Sequence, residues 1–367
     1  MDTMRAPEIP KMFRGIGYTR PRDGLPLEEI QVPVPQPAAD QVLIQVACSS
    51  LNPLEYKLAE LNFFGRTPPV ILGFDLSGIV VATGDEVRDF AVGDEVTAMA
   101  DSNGDGGWAA GGHGGYALAR DFLAVKKPRS VSFRDAAALP ICFIAAFLRL
   151  HRNVNPDDTV YIPGGAGGVG HLAVQMAART VGAARVISSG GTPDSIDLAR
   201  SCGAHHVFDY KRDDVLAEIM KLTNGEGVDL VYDTTYSETS FVNTAKMVRN
   251  GGKWVVLGVG PGKTTRTTQT ESPVDAILAA RGARHINVNT LKFFSEPGTL
   301  DAEAKSLLRR ALSLAMEWAE KGLVVPHIGK TINSTAMEIN DGLQAMKAGK
   351  SPMGKVAVVV DPARANR

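Results

Sequence analysis

Five glycines fall within seven positions, Gly164 to Gly170, in the stretch "VYIPGGAGGVGHLAVQMAA" at residues 160–178. An ordered glycine costs about 0.5–1 kcal/mol relative to alanine, so a chain that gathers them at one turn needs bare backbone there. A strand, a glycine turn and a helix in that order bring the backbone close to a diphosphate. They also aim helix N-terminal amides at its charge. The motif alone is weak evidence, and its weight comes from the segments C-terminal to it. Here "RVISSG", "HHVFDY", "VDLVYDTT" and "KWVVLGVG" read as strands. The segments "PDSIDLARSCGA", "DDVLAEIMKLTNGEG" and "SFVNTAKMVRNGG" read as the helices between them. Strands alternating with helices of this length predict βαβ units on a doubly wound parallel sheet.

The remainder of the chain has another texture. "QVLIQVACSSL", "SGIVVATG" and "FAVGDEVTAMA" are β-branched runs broken by Gly, Pro and Asp-Glu turns, which predict a mostly β first third. "DAAALPICFIAAFLRLHR" predicts one apolar helix with a proline near its start. After Asp301 come a long amphipathic helix, "DAEAKSLLRRALSLAMEWAEKG", then "INSTAMEINDGLQAMKAG" and a last strand, "GKVAVVVD". The pattern predicts an α/β domain over 139–297 inserted into a domain made of 1–138 and 298–367. The glycine-rich segment 101–117 reads as a surface loop, and long loops are often functional.

Formal net charge is −1 and no basic block occurs, so a nucleic-acid or anionic-membrane partner is not expected. The three cysteines, Cys48, Cys142 and Cys202, form no CxxC pair and are too few for a disulfide framework. The longest apolar run, Ala136 to Leu148, is broken by Pro140 and falls short of the ~20 residues a membrane span needs. The chain therefore reads as a cytoplasmic protein that does not insert into membranes.

The end of the second strand of the α/β domain decides between two dinucleotides. An acidic residue about 20 positions past the glycines accepts the ribose hydroxyls of NAD. This chain has Ser188, Ser189, Gly190, Gly191 and Thr192 there, with Tyr210 and Lys211 after the third strand. With no carboxylate and several hydroxyls, the reading is NADP(H). The serines would donate to the 2′-phosphate unless they serve only to cap and turn.

The segments "LNPLEYK", "PPVILGFDLSGIVVATG", "FAVGDEV", "GGYA", "DAAALP", "GGAGGVGHLAVQMA" and "GKVAVVV" occur in an order that resembles the medium-chain dehydrogenase/reductases. The resemblance runs from about Val42 to Val360 and is nearest the zinc-independent quinone oxidoreductase and enoyl reductase branch. It implies a GroES-like β-barrel catalytic domain, a Rossmann cofactor domain, an active cleft between them and a homodimer. Asn52 stands where zinc-dependent members carry a cysteine ligand. Their "GHE" is here Gly73, Phe74 and Asp75, and their third ligand falls near Ile141 and Cys142. Phenylalanine binds no metal, and no zinc is expected.

Without a Lewis acid a plain carbonyl is weakly polarised, so the implied acceptors are quinones and α,β-unsaturated carbonyls. Alternatives are a carbonyl or alcohol dehydrogenase of the same fold and a non-catalytic NADPH-binding protein. The candidate catalytic residues are Asn52, Tyr56, Lys57 and Asp75. Cofactor contacts are expected from Gly165, Ala166, Gly167, Gly168, Val169, Ser188, Ser189, Tyr210, Leu257, Gly258, Val259 and Asn289, with Lys355 matching a family lysine near the cofactor. An apolar pocket for a small-molecule substrate would draw on Phe64, Phe74, Trp108, His113, Phe143 and Phe294. As a metal ligand His113 is discounted in favour of a solvated loop histidine.

Overall fold

The computed structural model describes residues 9–24, 27–101, 111–235, 238–257, 273–286, 288, 290, 293 and 295–367. The chain divides into two compact units. One comprises Met1–Ile141, Leu291–Lys321 and Ile328–Arg367, and the other comprises Cys142–Thr290 and Gly322–His327.

The first unit is built around β3 (Gln41–Ser50). Its predecessors β1 (Met12–Tyr18) and β2 (Glu28–Pro33) pair antiparallel, and β1 also pairs β4 (Val70–Ile71). Strand β3 pairs antiparallel with β5 (Asp75–Thr83) and β7 (Tyr116–Arg120), and β6 (Glu95–Met99) joins β5 to β8 (Ala124–Lys126). Successive side chains of a strand face opposite ways. Val42, Ile44 and Val46 of β3 therefore enter one core with Leu76, Val80 and Val96, while Leu43 enters a second with Phe13, Val32 and Tyr116. A strand buried on both faces explains why Val42, Leu43 and Ile44 are apolar in succession rather than in alternation.

Helix α1 (Pro53–Leu61) comes directly after β3. Asn52 is its N-cap, Pro53 occupies the first turn, and Asn62 ends it in the left-handed region at φ 42°. The sequence pattern predicts no helix here. The single apolar helix expected near residue 135 is two helices, α2 (Phe133–Ala137) and α3 (Pro140–Leu150). Ser132 caps the first, and Pro140, which lacks an N–H to give to a preceding turn, starts the second.

The second unit holds a six-stranded, all-parallel sheet. Its strands are β9 (Thr159–Pro163), β10 (Arg185–Gly190), β11 (His206–Asp209), β12 (Val228–Asp233), β13 (Val248–Val256) and β14 (Arg284–Ile286). Their spatial order is β11-β10-β9-β12-β13-β14. That order is doubly wound: it reverses between β9 and β12, the place where such sheets bind ligands at their strand carboxyl ends. Helices α4 (Gly170–Gln175), α5 (Pro193–Ser201), α6 (Val215–Leu222), α7 (Glu238–Ala245) and α8 (Pro273–Ala280) accompany it. Tyr161, Ile187, Val231, Trp254 and Leu278 share its core, each buried apolar side chain contributing roughly 1.5–3 kcal/mol. The expected helix "SFVNTAKMVRNGG" stops at Ala245, and the chain re-enters the sheet at Val248, earlier than its glycines suggest. Pairing with β12 recruits Val248, whose side chain is fully buried.

Helix α9 (Ala302–Glu320) then returns the chain to the first unit. There β15 (Ile328–Asn333), α10 (Ala336–Lys347) and β16 (Lys355–Val359) complete the seven-stranded sheet, with β16 antiparallel to β3.

Candidate active site

The glycine turn is as tight as its sequence suggests. Gly164 sits at φ +72°, and the Gly167 amide donates to its carbonyl at 2.9 Å. A Cβ on Gly170 would lie 2.1 Å from that same carbonyl oxygen, and one on Gly165 would lie 2.1 Å from Ser188 Oγ. Gly167 is exposed, while Gly168 and Val169 are half-buried beside it, so the turn offers bare backbone at the start of α4. Ala166 and Leu257 are buried, and the Leu257 amide donates to the Asp233 carbonyl. These residues suit a dinucleotide diphosphate on helix N-terminal amides. Gly258, Val259 and Asn289 lie outside the described residues.

His171, in the first turn of α4, sets the turn's shape, and no local sequence signal marks it for that role. The His327 amide donates to its Nε2 at 3.0 Å, which assigns the proton to Nδ1, and Nδ1 donates to the Gly167 carbonyl at 2.8 Å. Thr234 Oγ1 donates to the Pro163 carbonyl at the mouth of the same turn. Asp233, buried behind it, accepts from Thr235, Ser240 and Thr244.

The two serines differ from the sequence expectation. Ser188 Oγ donates to the Ile162 carbonyl at 2.6 Å, and Ser189 Oγ accepts from the Tyr161 hydroxyl at 3.1 Å. Both are buried inside the sheet, so neither hydroxyl stands ready for a 2′-phosphate. Tyr210 is 59% exposed instead, and its amide donates to the Gly190 carbonyl. A Cβ on Gly191 would sit 2.4 Å from the Tyr210 hydroxyl, so Gly191 is what lets that phenol lie across the end of β10.

In the first unit three expected residues do converge. Asp75 is fully buried; its Oδ1 accepts from the Ile141 amide at 2.8 Å. Its Oδ2 accepts from Ser50 at 3.1 Å, Asn52 Nδ2 at 2.9 Å and Lys355 Nζ at 3.1 Å. Lys355, itself buried, also donates to Asn52 Oδ1 at 2.8 Å and to the Leu51 carbonyl at 3.1 Å. The result is a buried ammonium–carboxylate knot with the Asn52 amide locked at both ends. Tyr56 is not part of it among the hydrogen bonds of the described residues. It lies half-buried on α1, its phenol pushed upward by burial and by nearby Glu60, with Lys347 opposing. Lys57 is half-buried on the same helix.

Of the expected pocket aromatics, Phe64 is half-buried against Phe63, and Trp108 and Phe294 lie outside the described residues. Phe74 and Phe143 are core residues, the latter stacked on Phe147. His113 is a correction: it is fully buried rather than solvated. Its Nε2 meets Glu55 Oε2 at 3.0 Å and its Nδ1 meets Ser49 Oγ at 3.1 Å. The flanking backbone explains this, because the His113 amide donates to Leu72 and its carbonyl accepts from Ile16, so strands clamp the residue from both sides.

Comparison with known proteins gives a consistent picture. Residues 38–129 match the alcohol dehydrogenase GroES-like domain family, and residues 168–290 match the zinc-binding dehydrogenase family. The chain is 34% identical to a chloroplastic quinone-oxidoreductase of Triphysaria versicolor, over 60% of this chain and 68% of that protein. It is 32% identical to 2-methylene-furan-3-one reductase of Solanum lycopersicum over 70% of this chain, but spans only 65% of that relative's length. An alcohol dehydrogenase superfamily protein from Novosphingobium aromaticivorans superposes with a TM-score of 0.79 at 29% identity, covering 95% of this chain and 99% of that one.

The description "zinc-binding" invites a test of the residues. At the positions the sequence resemblance aligns with zinc ligands, Asn52 has both ends of its amide engaged, and Phe74 offers a ring whose face is covered by the Arg66 guanidinium. Both oxygens of the adjacent Asp75 are already taken by protein donors. This donor set does not fit zinc. Among the described residues, no three of His, Cys, Asp and Glu cluster to hold a metal.

Proposed function

Because this chain belongs to the medium-chain dehydrogenase/reductase superfamily, in its quinone oxidoreductase-like branch, we propose that it is an NADPH-dependent, zinc-independent reductase. Its acceptors are quinones or the C=C bond of α,β-unsaturated carbonyls. The observation that carries this reading is the Asn52–Asp75–Lys355 knot, which ties up Asn52 at one position aligned with a zinc ligand and Asp75 beside Phe74 at another. An ammonium already shared among three oxygens polarises a plain carbonyl far less than an open metal site does, so the acceptor must bring its own electrophilicity.

When bound, reduced nicotinamide supplies a hydride. The chain's own residues bind and orient. The Gly164–Gly170 turn and the α4 amides hold the diphosphate, and Tyr210 with Lys211 hold the 2′-phosphate in place of the inward-facing serines. Asn52, whose Nδ2 donates to Asp75 and the Ser50 carbonyl and whose Oδ1 accepts from Lys355, serves in this reading as a fixed orienting residue on the acceptor side and not as a free donor. Tyr56 and Lys57, one turn further along α1, are the remaining candidates for the proton donor. Orientation alone can supply roughly 7–11 kcal/mol of the barrier. The assembly is a cytoplasmic homodimer in this reading, checked by light scattering.

The test is NADPH oxidation by chelator-treated protein, offered a medium-chain 2-enal, an enone and an ortho-quinone, with NADH in parallel. Turnover that survives the chelator and favours NADPH supports the proposal. Turnover restored only by zinc would replace it with a metal-dependent dehydrogenase. NADPH binding without turnover on any acceptor would leave a non-catalytic binding protein.

A further inference from the structure

Among the described residues two arginines, Arg66 and Arg149, are almost completely buried, and they are treated in opposite ways. Arg149 is 1% exposed and donates to three backbone carbonyls: Ala145 at 3.1 Å, Val256 at 3.2 Å and Val288 at 3.3 Å. Arg66 is 6% exposed, yet its Nε and Nη2 have no hydrogen-bond partner and no carboxylate pairs with it among the described residues. Burying an unpaired charged donor costs more than burying an unpaired neutral one, so such a group calls for a partner.

The surroundings hold this guanidinium in place. Asn62, closing α1 in the left-handed region, clamps the Arg66 peptide from both sides. Its Oδ1 accepts from the Arg66 amide at 3.1 Å and its Nδ2 donates to the Arg66 carbonyl at 2.8 Å. The Tyr18 hydroxyl anchors Asn62 Oδ1 in turn, at 2.9 Å. The guanidinium carbon lies 5.0 Å from the ring centre of Phe74 and 5.4 Å from that of Phe64. The aromatic faces hold the plane by cation–π attraction and exclude water from it. The nearby carboxylates are engaged elsewhere. Asp101 accepts from Gln41 and pairs with Arg120, while Glu55 is taken by His113 and the Phe74 amide. Burial lowers the guanidinium's affinity for its proton, to a pKa of about 10, which still leaves it charged at neutral pH.

Nε and Nη2 are the two donors on one edge of a guanidinium, and they point the same way. That edge matches two oxygens of a carboxylate or a phosphate. Phe74, the ring beneath it, directly precedes Asp75 of the knot. We propose that Arg66 is an anion-binding subsite for the acceptor, so that the preferred substrate carries a carboxylate or phosphate group in addition to its electron-poor double bond. This rests on the reductase reading given above.

The experiment uses the full chain with NADPH. It compares a 2-enal ending in a carboxylate with the methyl ester of the same compound, for the wild type, Arg66→Met and Arg66→Lys. The expected result is a wild-type kcat/KM at least tenfold higher for the acid, falling to about parity in Arg66→Met through KM. Arg66→Lys, which keeps charge but loses the fork, should be intermediate. The ester should be reduced within about threefold of wild type by both variants. A second readout needs no turnover: succinate or inorganic phosphate should raise the thermal midpoint of the wild type and not of Arg66→Met, and the larger shift identifies the anion. Equal kcat/KM for acid and ester in the wild type, with no midpoint shift from either anion, would overturn the subsite while leaving the reductase intact. Failure to reduce any acceptor would overturn the reductase, and the midpoint shift would still decide Arg66.

Discussion

Lys355→Met should be among the most destabilising single changes in the first unit. The ammonium it removes donates to Leu51 O, Asn52 Oδ1 and Asp75 Oδ2 at 3.1, 2.8 and 3.1 Å. Methionine replaces most of the aliphatic stem, so the cavity term stays small. What remains is Asp75, 0% exposed, with Ser50, Asn52 and the Ile141 amide still donating but no opposite charge. Breaking a buried pair from one side costs about 3–5 kcal/mol, because the surviving charge cannot reach water. Removing both charges is different. Asp75→Asn/Lys355→Met retains an amide oxygen for the Ile141 N–H and leaves no buried charge, so it should cost less than either single variant. The assay is urea denaturation monitored by far-UV circular dichroism, with the slope checked for constancy. A Lys355→Met loss below about 1 kcal/mol would refute the reasoning. So would a double variant whose loss equals the sum of the two singles, because coupled charges must be non-additive.

Gly165→Ala places a methyl 2.1 Å from Ser188 Oγ and 3.2 Å from the Ala199 Cβ. Overpacking of this kind costs about 1–3 kcal/mol, and nucleotide affinity should fall at least tenfold by fluorescence titration. Gly165→Ala/Ser188→Ala removes the nearest atom and should recover part of that loss. Tyr210→Phe should weaken NADPH about tenfold and leave NADH unchanged, and equal effects on both would remove Tyr210 from 2′-phosphate recognition. Burial pushes the Cys48 thiol up to about 12 and the Cys202 thiol up to about 11, from an ordinary value of 9.0. Groups that hold their protons more tightly when folded stabilise the fold fully below the unfolded value and lose that contribution as pH rises through the folded one. The urea midpoint should therefore decline from pH 9, through about 11 for Cys202 and about 12 for Cys48, with a shallower decline in Cys202→Ala. Iodoacetamide at pH 8 should label both thiols only after unfolding.

How far the sequence is legible depends on whether a residue's partner lies nearby in the chain. The Gly164–Gly170 turn and the strand–helix alternation after it are local patterns, and the sheet order and parallel pairing derive from them. The mostly β beginning and the returning tail are readable as flanks of an insertion for the same reason, from a change of period. Where a short element depends on capping, the pattern misleads: α1 rests on an Asn-Pro start and a left-handed Asn62, signals that a β-rich context obscures. The residue contacts are harder. Ser188 and Ser189 carry the right chemistry for a phosphate, but which way a strand-end hydroxyl points is set by the neighbouring strand, here the Ile162 carbonyl and the Tyr161 phenol. His113 lies in a glycine-rich stretch that reads as exposed loop, yet Glu55 and Ser49, 58 and 64 positions away, bury it.

The same distance dependence explains the two arginines. Nothing in the residues around Arg66 or Arg149 says which of the two guanidinium groups finds partners. The difference is visible only once strand ends are assembled. Val256 and Val288 bring carbonyls to Arg149 across 107 and 139 positions, and among the described residues nothing comparable reaches Nε and Nη2 of Arg66. A chain that satisfies one buried guanidinium with three carbonyls is able to satisfy another. It instead fixes the Arg66 backbone with Asn62 and lays its plane over two rings while leaving one donor edge open. Fixed position with unmet hydrogen bonding is the combination a binding site requires and a structural core avoids, because preorganisation lowers the entropy lost when a ligand arrives.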